Sequence, residues 1–198
     1  MHMTARPNKG FSMIEVLVTI VILLIGLLGL AGLQARALTS QMESYQRSQA
    51  LVLVKDMADR INANRKNVAS YITTAPRGTG FNGYAGLACA SLTGSGPDLC
   101  EWHNALLGAA EKQGGANIGA MIGARGCIYQ IAAPSTGVAG EYVVVVAWQG
   151  LNITHAPASD TAASPGQCGL GEYKDRGGAV KETLHRVISL PINMATLL

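Results

Sequence analysis

Few side chains in this 198-residue chain are spaced for chemistry. Glu15 heads a run, Val16 to Ala35, that holds no ionisable residue. At membrane depth a carboxylate costs about 2.5–3.5 kcal/mol on insertion scales, so a partner of opposite charge is the expectation for it. Cys89, Cys100, Cys127 and Cys168 can form two disulfides. Three pairings are open; the short separation favours Cys89 with Cys100, leaving Cys127 with Cys168. A zinc site would want closely paired ligands, yet there is no C-x-x-C, and His103 alone lies near a cysteine, three residues after Cys100. His103, His155 and His185 are scattered without matching carboxylates and no G-x-S-x-G occurs, so no hydrolytic constellation assembles. All three read as isolated surface histidines. Gly78-x-Gly80-x-x-Gly83 spells the dinucleotide fingerprint, with Asp98 twenty residues after Gly78. Its setting is wrong: Pro76 and Arg77 stand where a strand should end and Gly86 interrupts any following helix. Asn152-Ile153-Thr154 fits a glycosylation triplet, a pattern too short to carry weight. The expectation is a protein that is not an enzyme and takes neither cofactor nor metal.

The element that must position Glu15 is a helix. Twenty uncharged residues at about 1.5 Å each rise about 30 Å, enough to cross the hydrocarbon of a bilayer. Arg6 and Lys9 precede the run; positive charge on that flank keeps the N-terminus cytoplasmic and sends residues after Arg36 outward. An ordinary secretory signal cut at Ala35-Arg36-Ala37 is the rival. The apolar stretch from Val16 to Leu33 exceeds the roughly 7–15 residues such signals use, and a removed peptide has no use for Glu15.

A short basic leader ending in Gly10, then Phe11, then Glu15 resembles the N-terminus of type IV pilins and the related pseudopilins. The resemblance implies that a prepilin peptidase cuts between Gly10 and Phe11, at residue 1–10 of leader, and that the new amine of Phe11 is N-methylated. Gly10 lacks a side chain, so an active site can approach the scissile bond closely. The resemblance also implies that Glu15 pairs with the N-terminal ammonium of a neighbouring subunit, and that another subunit lies above this one in a filament. Implied partners are other minor and major pilins, the prepilin peptidase, the inner-membrane assembly platform and a large tip adhesin. Localisation follows as inner membrane, single-pass with a periplasmic domain, then the pilus surface. Ala147-Trp148-Gln149-Gly150, Cys168-Gly169 and His185 to Leu190 narrow the resemblance to minor pilins; a pseudopilin of a type II secretion system is the alternative. A membrane-anchored DNA-binding or ligand-binding module would need a concentrated basic patch, and Arg65-Lys66 is the sole adjacent basic pair. Formal charge is +3, of which Arg6 and Lys9 supply two, so no nucleic-acid partner is expected.

Beyond the span the apolar pattern turns amphipathic: Leu38, Met42, Tyr45, Ala50, Leu53, Val54, Met57, Ala58 and Ile61 fall on one helix face. With no proline between Pro7 and Pro76, one helix is predicted from about Ser12 to about Asn67. Separate membrane and soluble helices hinged near Gln34 to Ser40 are the alternative. Gly26, Gly29 and Gly32 each cost about 1 kcal/mol of helix propensity against alanine, so packing or local melting is their expected use. A short helix is predicted with Asp98 as N-cap, ended by Gly114-Gly115. Strands are predicted at Cys127–Ala132, Glu141–Trp148 and Leu184–Ile192, the middle one buried on both faces. The loop Gly150 to Gly178 between the last two is long enough to need the Cys168 bridge and to reach another subunit. The expected class is α+β, a long N-terminal helix packed on a small antiparallel sheet with a disulfide-closed C-terminal region. Its expected divisions are leader 1–10, membrane half 11–35 and exported part 36–198, with helix 36–67, a variable connection 75–125 and sheet 126–198. Only 14% of residues are charged and 24 are glycine, a composition suited to close, weakly charged contacts with neighbours.

Overall fold

The computed structural model describes residues 10–108, 112–113, 116–117, 121–135 and 138–195. Leader residues 1–9, Arg6 and Lys9 among them, and Gly114-Gly115 lie outside the described residues. The chain divides into two units, Met1–Met42 and Glu43–Leu198. Helix α1, Met13–Ala63, is unbroken for 51 residues; no hinge interrupts Gln34 to Ser40. In the first unit every residue from 10 to 38 is exposed.

In the second unit α1 contributes one wall of the core. Ala50, Val54, Met57, Ala58 and Ile61 are buried there, as is Gln46. Leu38, Met42 and Tyr45, expected on the same buried stripe, are 62%, 53% and 51% exposed. The correction has a simple cause: the core covers the stripe only from the Gln46 turn onward. After Ala63 the chain tightens into a 3₁₀ segment, Arg65–Tyr71, kinked at Asn67, and buries Tyr71.

Six strands follow in the described residues: β1, Arg77–Gly78; β2, Lys112–Gln113; β3, Ala116–Asn117; β4, Arg125–Ala132; β5, Gly140–Gln149; and β6, His185–Met194. Four form an antiparallel sheet in the order β1-β4-β5-β6, while β2 and β3 pair with each other. Cys127 lies opposite Val145 and Val145 opposite Ser189, with a bulge between Gln130 and Ala132. The valine run makes β5 the centre because β-branched side chains suit a strand covered on both faces. Tyr142, Val144, Val146 and Trp148 face the core that α1 lines; Val143, Val145 and Ala147 face Cys127, Cys168 and Tyr173.

Helix α2, Gly96–Leu106, lies against that first core through Leu99, Trp102 and Leu106. It starts before Asp98, which sits in the first turn instead of capping it: Ser95 is the cap residue, and Pro97 supplies the fixed φ that suits a helix start. It also ends earlier than expected, at Leu106, just before Gly108 takes φ +75° and turns the chain out of the helix. Trp102 Nε1 donates to the Leu53 carbonyl at 2.9 Å, and Arg60 clasps Asp56, Asp98 and Glu101 at 3.0, 3.1 and 2.6 Å. Those contacts fix α2 on α1.

Candidate functional site

The N-terminal head is built from the start of α1. The Ser12 carbonyl accepts the Glu15 N–H at 3.0 Å; the helix opens at Met13, two residues after Phe11, and places Glu15 in its first turn. Negative charge is favoured there by the exposed N–H groups of a helix start. Gly10 and Glu15 are exposed and Phe11 is 84% exposed. Glu15 makes no ion pair among the described residues. From Val16 to Leu33 the large apolar side chains all stand open, Val21 at 45% and Leu28 at 74%. Among the described residues α1 is the helix long and apolar enough to cross a membrane, and no residue of its apolar window is buried within the chain. Gly26, Gly29 and Gly32 are helical, and a Cβ at any of them would meet nothing within 4 Å. What this arrangement can do is bury apolar surface in lipid or against other helices while offering one carboxylate to an external cation.

In the second unit two disulfides close loops. Cys89 is joined to Cys100, tying a loop to α2, and Cys127 to Cys168, tying the long β5–β6 loop to β4. The same loop is fastened elsewhere by charge. Glu43 Oε1 accepts the N–H groups of Leu151 and Asn152 at 3.1 and 2.8 Å, and Arg186 donates to the Asn152 carbonyl. Arg125, nearly buried, meets Glu172 at 2.7 Å. Between the β1 turn and the cysteine loop lies an open cleft of about 520 Å³, lined by Thr79, Gly80, Phe81, Arg125, Gln167 and Glu172 among others. Gly78 and Gly80 of the apparent dinucleotide fingerprint belong to this turn. Gly78 has φ +94° and pairs with Arg125 in β1–β4, and no α-helix follows until Gly96.

Of His103, His155 and His185, two contradict the expectation of isolated surface side chains. His103 is 5% exposed and His185 1%, while His155 is exposed. His103 packs edge-on to Phe81 and Tyr84, and its Nδ1 accepts the Gly78 N–H at 2.9 Å. Burial, with the Arg77 guanidinium adding to it, pushes the imidazole below the ordinary histidine range. Arg60 goes the other way: burial opposes its charge, but hydrogen bonds to Glu101 and the attraction of Asp56 hold it above its usual value. Glu43, Arg60, Arg125 and Glu172 organise the second unit and carry no spacing signal. Glu182 does carry one, three residues before His185.

Residues 5–31 match the family model of the prokaryotic N-terminal methylation motif, and residues 32–91 match that of Type IV pilin Tt1218. The architecture is α+β and pilin-like. The pilin elements are the long apolar helix, the four-stranded antiparallel sheet and the disulfide in the C-terminal region. The prepilin motif implies processing by a peptidase and assembly with other pilins. Type IV pilins are structural proteins. No curated protein and no solved structure matches the chain.

Proposed function

We propose that this chain is a minor pilin of the PilV type: an inner-membrane subunit, cut after Gly10 and N-methylated at Phe11, that enters a type IV pilus and helps prime its assembly. In that role it supports tip-complex formation, adhesion and twitching motility. The observation that carries the reading is the bare apolar helix headed by one carboxylate, inside the stretch that matches the methylation motif. A helix half that buries none of its large apolar side chains from Val16 to Leu33 within its own chain needs lipid first and neighbouring helices afterwards. In both settings Glu15 is costly alone and favourable beside the ammonium of a neighbour's Phe11, whose opposite charge acts strongly in low dielectric.

Intact mass and N-terminal sequencing of the envelope form test the processing step. The expected product begins at a methylated Phe11 and has all four cysteines oxidised; a mature chain beginning at Ala37 or Leu38 would refute it. For the pairing, Glu15→Ala should insert normally yet be incorporated into sheared pili at a small fraction of the wild-type level. Normal incorporation would sink it.

A further inference from the structure

The two buried histidines of the second unit face opposite demands. His103 must present a lone pair to the Gly78 N–H, so it is neutral at Nδ1. His185, at the start of β6, has no exposed side-chain surface, and both its ring nitrogens meet oxygens: Glu182 Oε2 at 2.9 Å from Nδ1 and the Cys168 carbonyl at 3.0 Å from Nε2. A carbonyl and a carboxylate can only accept. A neutral imidazole has one N–H and one lone pair, so it would set a lone pair against an oxygen; the imidazolium donates to both. Glu182 keeps part of its side chain in solvent, 29% exposed, which favours leaving the carboxylate charged and the proton on the ring. Its other oxygen, Oε1, accepts the Gly171 N–H at 2.8 Å. Ring, carboxylate and the Cys168–Gly171 turn thus close one circuit of hydrogen bonds.

The groups that face the ring come from three elements. Glu182 belongs to the turn before β6. Tyr173, from the cysteine loop, lies 4.6 Å from the imidazole, and burial keeps its phenol protonated well above the ordinary range. Arg125, from β4, is paired with Glu172 of the loop; the Cys127–Cys168 disulfide carries no charge. Burial, the largest influence, with Arg125 adding to it, pulls the ring below the ordinary histidine range although Glu182 and the Cys168 carbonyl favour the proton, so the doubly donating ring belongs to the acid side of that range. A charged side chain held between such opposed influences is a switch element when a bistable segment hangs on it.

We propose that the His185–Glu182 pair is a proton-operated latch: the charged ring pins the Cys168–Gly171 turn to the start of β6, and loss of its second proton frees that turn. The consequence reaches the surface, because Gly169, Leu170 and Glu172 line the 520 Å³ cleft opposite Phe81. Proton uptake fixes this wall; proton loss lets it move. The inference stands on the second unit alone and does not depend on the pilin reading.

The test uses the full chain in detergent micelles with ¹⁵N-labelled histidine, following the His185 ring nitrogens and the amide exchange of Gly171 and Glu172 across a pH series. The expected result is an imidazolium signature at both nitrogens on the acid side. As one proton leaves, exchange at the turn should accelerate beyond what base catalysis alone gives, with the same midpoint. Exchange that ignores the ring's titration overturns the latch, as does a ring that stays neutral while the turn stays protected. In Glu182→Gln the counter-charge is gone, so ring titration and turn opening should move together to lower pH by about one unit, a ~10-fold loss of proton affinity. The His103 signals report whether the variant is folded. Movement of only one of the two, in a folded variant, also overturns the proposal.

Discussion

His103 shows how a single buried ring couples the fold to pH. Its Nδ1 lone pair holds the Gly78 N–H, and Gly78 itself sits at φ +94° with only 2.4 Å between an added Cβ and the Ala124 carbonyl. Protonation would turn that acceptor into a donor facing a donor. Because burial lowers the folded-state value below the unfolded one, the unfolded chain binds more protons in between. The stabilisation is therefore complete above the unfolded value, ~6.5, and is lost as pH falls through the folded one, with a slope of at most about 1.4 kcal/mol per pH unit. Urea melts of the wild type and His103→Gln through mild acid should show that limb flattened in the variant; parallel curves would remove His103 from the account. None of this was legible beforehand. Isolated histidines say nothing of depth, and the partner of His103 is a backbone N–H 25 positions away, set by how α2 lies against β1.

At the level of elements, the parts with long uniform signals could be read from the residues and the short ones could not. α1 and the three long strands run for eight or more residues each, and β5 adds a valine run that a strand accommodates well. β1 is two residues long and exists because Gly78 can adopt a positive φ beside Arg125. The start of α2 escaped because Asp98, in sequence a natural N-cap, is drawn into a different network: it accepts from Tyr71 and from Arg60. The contact of α2 with the sheet was hidden too, since it rests on a glycine. At Gly126 an added Cβ would fall 2.4 Å from Trp102 and 2.7 Å from Leu106, so that position lets the helix come close. Gly126→Ala should cost about 1–3 kcal/mol by overpacking, read as a lower denaturation midpoint at unchanged slope. Gly29→Ala, where a Cβ would meet nothing within 4 Å, should leave the melt of the second unit unchanged. If Gly29→Ala nevertheless reduces incorporation into pili, the glycine serves contacts between subunits.

On the scale of the whole molecule, α1 has two duties that meet in one uninterrupted helix. From residue 10 to 38 every residue is exposed; from Gln46 onward the same helix supplies Ala50, Val54, Met57, Ala58 and Ile61 to the core. That division was only half visible in the sequence, because the apolar stripe continues through Leu38, Met42 and Tyr45 without a break and only tertiary cover decides where burial begins. It leads to a sharp asymmetry under truncation. A chain starting at Glu43 keeps every buried residue of the second unit, keeps Glu43 to hold Leu151 and Asn152, and loses the exposed apolar segment. It should be monomeric in buffer and unfold cooperatively. A chain starting at Asn64 loses the five apolar side chains just named and the Arg60 clasp on α2. Each large one contributes about 1.5–3 kcal/mol on burial, and together they rival the whole stability of a small domain, about 5–15 kcal/mol. Size-exclusion chromatography and thermal melts on the two truncations decide it: the first should give one sharp transition, the second none. A cooperative transition in the shorter chain would mean that sheet and disulfides suffice without the helix.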